Sequence, residues 1–240
     1  MQELLKLIQD RCSSRAPFDP ERPVAREELR QILEAGRWAP TAHNMQNFEV
    51  AVVDEPKLLA AIGDIQQSAS EEFIRENYQQ LSFSEDELRR KKVGLLAAMF
   101  PEAWRKPDAK PAGGAGEQMA ARFGKAIAGG PTLLVILYDP ARRAPASPGD
   151  FLGIISLGCV MQNMWLMASS LGIAFHVISA LSAPPVEKQV KALLGIPEHL
   201  TIAFAARVGY LARPSTGTLR VRRDVEDFAH HNRYGKRGLG

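Results

Sequence analysis

A chain of 240 residues, 45% hydrophobic and 24% charged, can bury a sizeable core and has the composition of an ordinary globular protein, not of a disordered or fibrous one. Cys12 and Cys159 lie far apart without metal-ligand or redox spacing, which fits a reducing cytoplasm, and the N-terminus lacks the basic region and apolar run of a signal peptide. The formal net charge of +3 is unevenly placed: residues 213–240 hold seven basic side chains against three acids, so the first 212 residues sum to −1.

In chain order, Leu4, Leu5, Leu7, Ile8 and Cys12 recur at helical spacing and predict a helix over 3–12. Leu29, Ile32, Leu33 and Gly36 predict another over 26–37. Phe48 to Val53 is a short apolar run bounded by Asn47 and Asp54-Glu55-Pro56, which reads as a buried strand. Helices are expected at about 56–66, 69–80 and 85–99, followed by a Pro/Gly-rich stretch at 105–116 that reads as a mobile loop. Pro131 to Tyr138 is the strongest strand signal.

Residues 150–171 form a long helix, with Asp150 as the expected N-cap and Gly172 as the stop. It is apolar around most of its circumference. Ser156, Gln162, Asn163, Ser169 and Ser170, and the lack of a second span, argue against membrane insertion. Burial on several sides, including one by a partner chain, is the alternative, and Gly153 and Gly158 would admit a second backbone. Strand 173–179, helix 185–194 and strand 201–208 complete an α+β layered domain of about four strands wrapped by helices, with residues 65–128 inserted between strands.

Three separated stretches carry the chemistry. Arg11, Ser13 and Arg15 alternate just past a helix end, so in extended backbone their guanidinium and hydroxyl donors share one side, an arrangement suited to a dianionic phosphate. Asn44 and Gln46 stand at the mouth of the strand beginning at Phe48. Their amides donate and accept at once, matching the edge of a hydrogen-bonding heterocycle. Arg220, Arg222 and Arg223 add cations in the basic tail. Together these describe a pocket for a phosphorylated, planar ligand, in outline flavin mononucleotide (FMN). The five histidines show no metal-binding spacing, and no Gly-rich phosphate loop or nucleophile elbow is present. The tail lacks the interleaved aromatics of a single-strand nucleic-acid platform.

Taken in order, the pieces resemble the FMN-dependent nitroreductase family. Arg11-Cys12-Ser13-Ser14-Arg15 is similar to that family's Arg-Arg-Ser-x-Arg. Ala39-Pro40-Thr41-Ala42-His43-Asn44-Met45-Gln46-Asn47-Phe48 is similar to its Ala-Pro-Ser-x-x-Asn-x-Gln-Pro-Trp. The likeness continues through Gln162–Leu166, Leu171-Gly172-Ile173, Leu194–Pro197 and Val208-Gly209-Tyr210 to the Arg-x-Arg of the tail, covering roughly residues 3–62 and 126–236. Cys12 stands where the family has arginine, Asn47-Phe48 where it has Pro-Trp, and Ser179-Ala180 where Glu-Gly or Gly-Gly is commoner.

The resemblance implies a nitroreductase-like fold: one domain over 1–240 with a central mixed sheet, a helical lid at about 65–128 and a C-terminal arm at about 213–240, assembled as an intertwined homodimer. It implies FMN bound by Arg11, Cys12, Ser13, Arg15, Arg220 and Arg222 at the phosphate and ribityl side, and by Asn44 and Gln46 at the isoalloxazine. Ile178, Ser179 and Ala180 would offer main-chain N–H groups to the flavin. NAD(P)H would be co-substrate and a nitroaromatic or quinone the acceptor, in ping-pong order, with no side-chain acid or base, no metal, no nucleic acid and no membrane. Reductive dehalogenation, azoreduction, enone reduction or flavin fragmentation on the same fold is the alternative, and a basic-tailed nucleic-acid-binding protein is a rival from another class.

Overall fold

The computed structural model describes residues 2–65, 82–99, 115–213 and 219–238. The helix expected over 69–80, and nearly all of the Pro/Gly stretch 105–116, lie outside the described residues. The chain divides into two compact units, Met1–Gln67 with Ala121–Ser215, and Ser68–Ala120 with Thr216–Gly240.

The first unit contains α1 (Gln2–Asp10), α2 (Arg26–Arg37), β1 (Phe48–Val53) and α3 (Pro56–Asp64). After the insertion it resumes with the end of α5 (Ala115–Ala128), then β4 (Thr132–Tyr138), α6 (Phe151–Ser170), β5 (Ala174–Ile178), α7 (Pro184–Leu194) and β6 (Thr201–Gly209). The strands form one sheet in the order β1-β4-β6-β5. Within the chain this sheet is antiparallel at every junction instead of mixed. The physical reason is visible at β5–α7–β6, which leaves and re-enters at the same end of the sheet, so neighbouring strands run in opposite directions.

Alternation along β4 explains the layering. Leu134 and Ile136 face a core built with Leu29 and Ile32 of α2 and Val160 and Met164 of α6. Leu133, Val135 and Leu137 face a second core with Leu59 and Ile62 of α3, Ile127 of α5, and Val186 and Val190 of α7. A strand buried on both faces loses the polar/apolar alternation, which is why Pro131–Tyr138 reads as continuous hydrophobe. Two glycines set the contact between α3 and α5: a Cβ on Gly124 would stand 2.3 Å from the Gly63 carbonyl oxygen, and one on Gly63 would stand 2.7 Å from that of Gly124.

Helix α6 is the spine of the unit. By length and hydropathy it could cross a membrane, yet Leu157, Val160, Met164, Trp165 and Ala168 are buried within the chain itself. Its C-terminus is a Schellman stop: Gly172 takes φ +71°, and the Ile173 N–H donates to the Ala168 carbonyl at 2.8 Å. Two expectations at its other end need correction. Asp150 sits at the N-cap but its side chain makes no capping bond. Gly153 is buried, with Asp150 Oδ1 2.5 Å from where a Cβ would be, so it admits no second backbone; Gly158 is exposed and open. Among the apolar residues left in solvent are Phe151, Ile154 and Ile155 on α6 and Leu4, Leu5 and Ile8 on α1, with Trp38 just past α2.

In the second unit, α4 (Glu85–Lys91) starts on a capping box between Ser84 and Glu87. The helix expected over 85–99 ends at Lys91, because Lys92 turns left-handed at φ +57° and Gly94 follows at φ +97°. The short strands β2 (Ser82–Phe83) and β3 (Leu95–Leu96) flank it as a parallel pair. In the C-terminal arm, Asp224 and Asp227 both pair with Lys92. Residues 229–238 fold back through a His230–Arg237 bridge, with the Tyr234 ring 4.5 Å from that of His230.

Candidate functional site

The segment after α1 is stitched to the sheet by its main chain. Trp165 Nε1 donates to the Cys12 carbonyl at 3.2 Å, the Ser14 N–H donates to the Phe175 carbonyl at 3.1 Å, and Phe18 bridges to Leu211. Ser14 is buried, and with Cys12 it lines a cleft shared with Ile173, Phe175 and Tyr210. The Arg11 N–H still donates to the Leu7 carbonyl at 3.0 Å, so Arg11 closes the last turn of α1 and the alternation expected of extended backbone does not reach it; Ser13 is half-buried. The Arg11 guanidinium lies 4.4 Å over the Trp165 ring, and Arg15 is exposed.

The amide-bearing turn is held differently. His43, Asn44 and Gln46 all take left-handed backbone, at φ +52°, +52° and +45°, with no glycine among them. Such conformations cost on the order of 1–2 kcal/mol per residue and persist where the surroundings over-determine them. Those surroundings are polar: the Ala42 N–H donates to Ser156 Oγ at 3.0 Å, and Ser156 Oγ in turn donates to the Leu152 carbonyl. The Gln46 N–H donates to Thr41 Oγ1, and Gln46 Nε2 donates to Asn44 Oδ1 at 3.0 Å. The two exposed amides are thus pre-paired, leaving an Asn44 donor and a Gln46 acceptor side by side. Asn47, the next residue, is buried and donates through Nδ2 to the Arg142 carbonyl at 3.3 Å.

Helix α6 organises both parts. Trp165 holds the Cys12 segment and Ser156 holds the turn, nine residues or about 14 Å apart along the helix at 1.5 Å per residue. Ile178, Ser179 and Ala180 stand where β5 ends: Ile178 is buried and is the last residue paired to β6, while Ser179 is exposed. The main-chain N–H groups of 179 and 180 therefore lie beyond the ladder. Arg220 and Arg222 belong to the second unit, on a segment without regular structure, where both are exposed and Arg222 Nη1 donates to the Val221 carbonyl at 2.6 Å.

Arg207 escaped the sequence reading, and His176 figured there only among five histidines without metal-binding spacing. Arg207 on β6 and His176 on β5 are directly paired across the ladder and only 2% and 6% exposed. Arg207 Nη1 lies 3.3 Å from His176 Nδ1, its guanidinium lies 4.3 Å over the Phe18 ring, and its Nε has no hydrogen-bond partner. Burial above all, then the charges of Arg207 and Arg15, pull the His176 pKa down to about 4. Burial pulls that of Arg207 down to about 10, which leaves it charged at neutral pH. The only available signal was an arginine inside the otherwise apolar run Ile202–Val208. Among the described residues no group of three or more His, Cys, Asp or Glu forms a metal-ligand set.

The fold and these segments place the chain in a known class. The model of the nitroreductase family matches residues 8–210, and the chain belongs to that family. Solved structures share its fold at low identity. An FMN-dependent nitroreductase from Clostridium difficile is 17% identical, with 96% of this chain and 99% of that one covered, at a TM-score of 0.58. A nitroreductase with bound FMN from Bacteroides fragilis is 21% identical, with 93% and 96% covered, at 0.56. A nitroreductase family protein from Clostridium novyi is 15% identical, with 97% and 95% covered, at 0.56.

Proposed function

We propose that this protein is an FMN-dependent oxidoreductase that uses NAD(P)H to reduce nitroaromatic, quinone or related acceptors in ping-pong order. The observation that carries this reading is the hanging of two different donor sets on one helix: guanidinium and hydroxyl groups on the Arg11–Arg15 segment, and a pre-paired amide couple on a left-handed turn. The donor chemistry fits the group. Arginines in rigid backbone suit a phosphate dianion, an amide donor beside an amide acceptor suits a pyrimidine edge, and the N–H groups of Ser179 and Ala180 lie outside the sheet ladder.

When bound, the flavin supplies the hydride chemistry. The protein's part is to bind, orient and polarise. Arg11, Ser13 and Arg15, with Arg220 and Arg222 from the arm, would hold the phosphate end; Cys12 would flank them. Asn44 and Gln46 would orient the ring, and the N–H groups following Ile178 would stabilise negative charge on it. No side-chain acid or base is assigned. The insertion at about 65–128 would select the acceptor, although Phe73, Tyr78, Phe100 and Trp104 lie outside the described residues.

The reading includes a cytoplasmic homodimer. Phe151, Ile154 and Ile155 are 62%, 59% and 48% exposed on a helix whose other side packs into the core, and covering each would stabilise by about 1.5–3 kcal/mol. Purified protein should be yellow with stoichiometric FMN, oxidise NADH or NADPH when a nitroaromatic or quinone is added, and scatter light at about twice the chain mass. Arg222→Ala should fold and lose flavin on dialysis. Colourless protein that takes up no FMN on reconstitution, or flavoprotein inert with both nicotinamides, would overturn the assignment.

A further inference from the structure

We propose that Arg207 and His176 form the inner wall of the flavin-phosphate site, with Arg207 as a buried cation balanced by the ligand's dianion and His176 as the link between that cation and Arg15. The inference rests on the flavin reading above and goes beyond the anchors that reading names.

The first ground is an unbalanced charge. A guanidinium on a residue only 2% exposed is costly unless an anion and hydrogen bonds compensate it. Among the described residues no carboxylate stands within ion-pair distance of Arg207. Its compensations are weak: the face of Phe18, one long hydrogen bond to an imidazole, and nothing at Nε. Gly130 lies beside that Nε, 3.5 Å from where its Cβ would be.

The second ground is position. The strand register puts His176 opposite Arg207, and Ser14 N–H bonds the carbonyl of Phe175, the residue before His176. Phe18, four residues on, closes over the guanidinium. The Ser14–Phe18 segment, which carries Arg15, is therefore laid directly across the pair, and Arg15's charge reaches the imidazole.

The third ground is the tautomer. Arg207 has only donors, so His176 Nδ1 must accept and the ring proton sits on Nε2, on the side of the ring turned away from Arg207. A neutral imidazole held as the Nε2–H form has one donor left for an acceptor that also meets Arg15. A phosphate oxygen has that chemistry. Such an anion would draw on Arg15 in front and on Arg207 behind, in surroundings where the attraction is little screened.

The test compares FMN with riboflavin, which lacks only the phosphate. Both are titrated into deflavinated full-length wild type, Arg207→Met, and the double variant Arg207→Met with His176→Phe. The double variant removes cation and partner together and replaces them with apolar groups, a swap that buried charged clusters tolerate. The FMN-to-riboflavin affinity ratio should fall about tenfold or more in both variants, with riboflavin affinity held within about threefold. The flavin-free double variant should melt at or above wild type, because its uncompensated charge is gone, and Arg207→Lys should restore part of the ratio. A scaffolding role alone would lower the melting temperature and weaken both flavins alike, and that result would overturn the proposal. So would an unchanged ratio in the double variant. Wild type that binds FMN no better than riboflavin would remove the phosphate site itself, and this inference with it.

Discussion

The Arg11–Phe18 segment and the Ala39–Asn47 turn both hang from α6, but they are held by opposite means. The first is tied by main-chain bonds to β5 and to the residues that follow β6, takes a bond from the Trp165 side chain at its Cys12 carbonyl, and lays Phe18 against a buried cation. The second folds on itself through three left-handed residues and its own Thr41, Asn44 and Gln46 side chains. The difference shows where each end stores its free energy. At the charged end the unfavourable term is electrostatic and a ligand can relieve it. At the amide end it is conformational and already present before any ligand arrives.

The contrast is sharpest in acid. His176 titrates near 4 in the folded chain against 6.5 for an unperturbed imidazole, so folding favours the neutral ring. Its contribution is complete above pH 6.5 and is lost as the pH falls toward 4, amounting to about 2–3 kcal/mol by pH 4.5. Urea unfolding at pH 7.5 and 4.5 should show that loss in wild type and a much smaller one in the Arg207→Met, His176→Phe double variant. Equal losses would mean that other groups set the acid limit.

Next in size is Arg15→Ala. Removing one charge-assisted contact to a dianion should weaken FMN about 10- to 100-fold and leave riboflavin nearly unchanged, read by flavin fluorescence. Comparable loss for both flavins would place Arg15 away from the phosphate.

The smallest effect lies at the turn. Gln46→Gly relieves the left-handed residue while leaving its main-chain bond to Thr41 in place. It should stabilise the flavin-free protein by about 0.5–1 kcal/mol in thermal unfolding, while FMN and riboflavin both bind less well. A loss of stability would show that the Gln46–Asn44 amide bond outweighs the strain.

Periodicity was enough for α2 and β1, because one has a single apolar stripe and the other a bounded run. It failed at 92–99, where a lysine takes the left-handed stop two residues ahead of the glycine, Gly94, that would have announced it. The same blindness applies to His43, Asn44 and Gln46: their side chains were legible as a polar site, their backbone was not. Arg207 was missed for another reason. A strand residue's partner is fixed by register, and nothing local in Ala205-Ala206-Arg207-Val208 says that His176 will lie opposite. The apolar excess of α6 was legible, but which of its residues the chain covers itself, as with Leu157 and Met164, was not.

The Gly63–Gly124 crossing has a consequence for descent, not for catalysis. Each glycine lies so close to the other's carbonyl oxygen that a methyl group on either would force α3 and α5 apart. The two positions are therefore locked together: neither can drift through alanine while the other waits, and changing both makes the crowding worse. A lineage could leave this arrangement only by first sliding or shortening a helix. Chains that keep the close crossing should keep both glycines even where nearly everything else in the sequence has been rewritten.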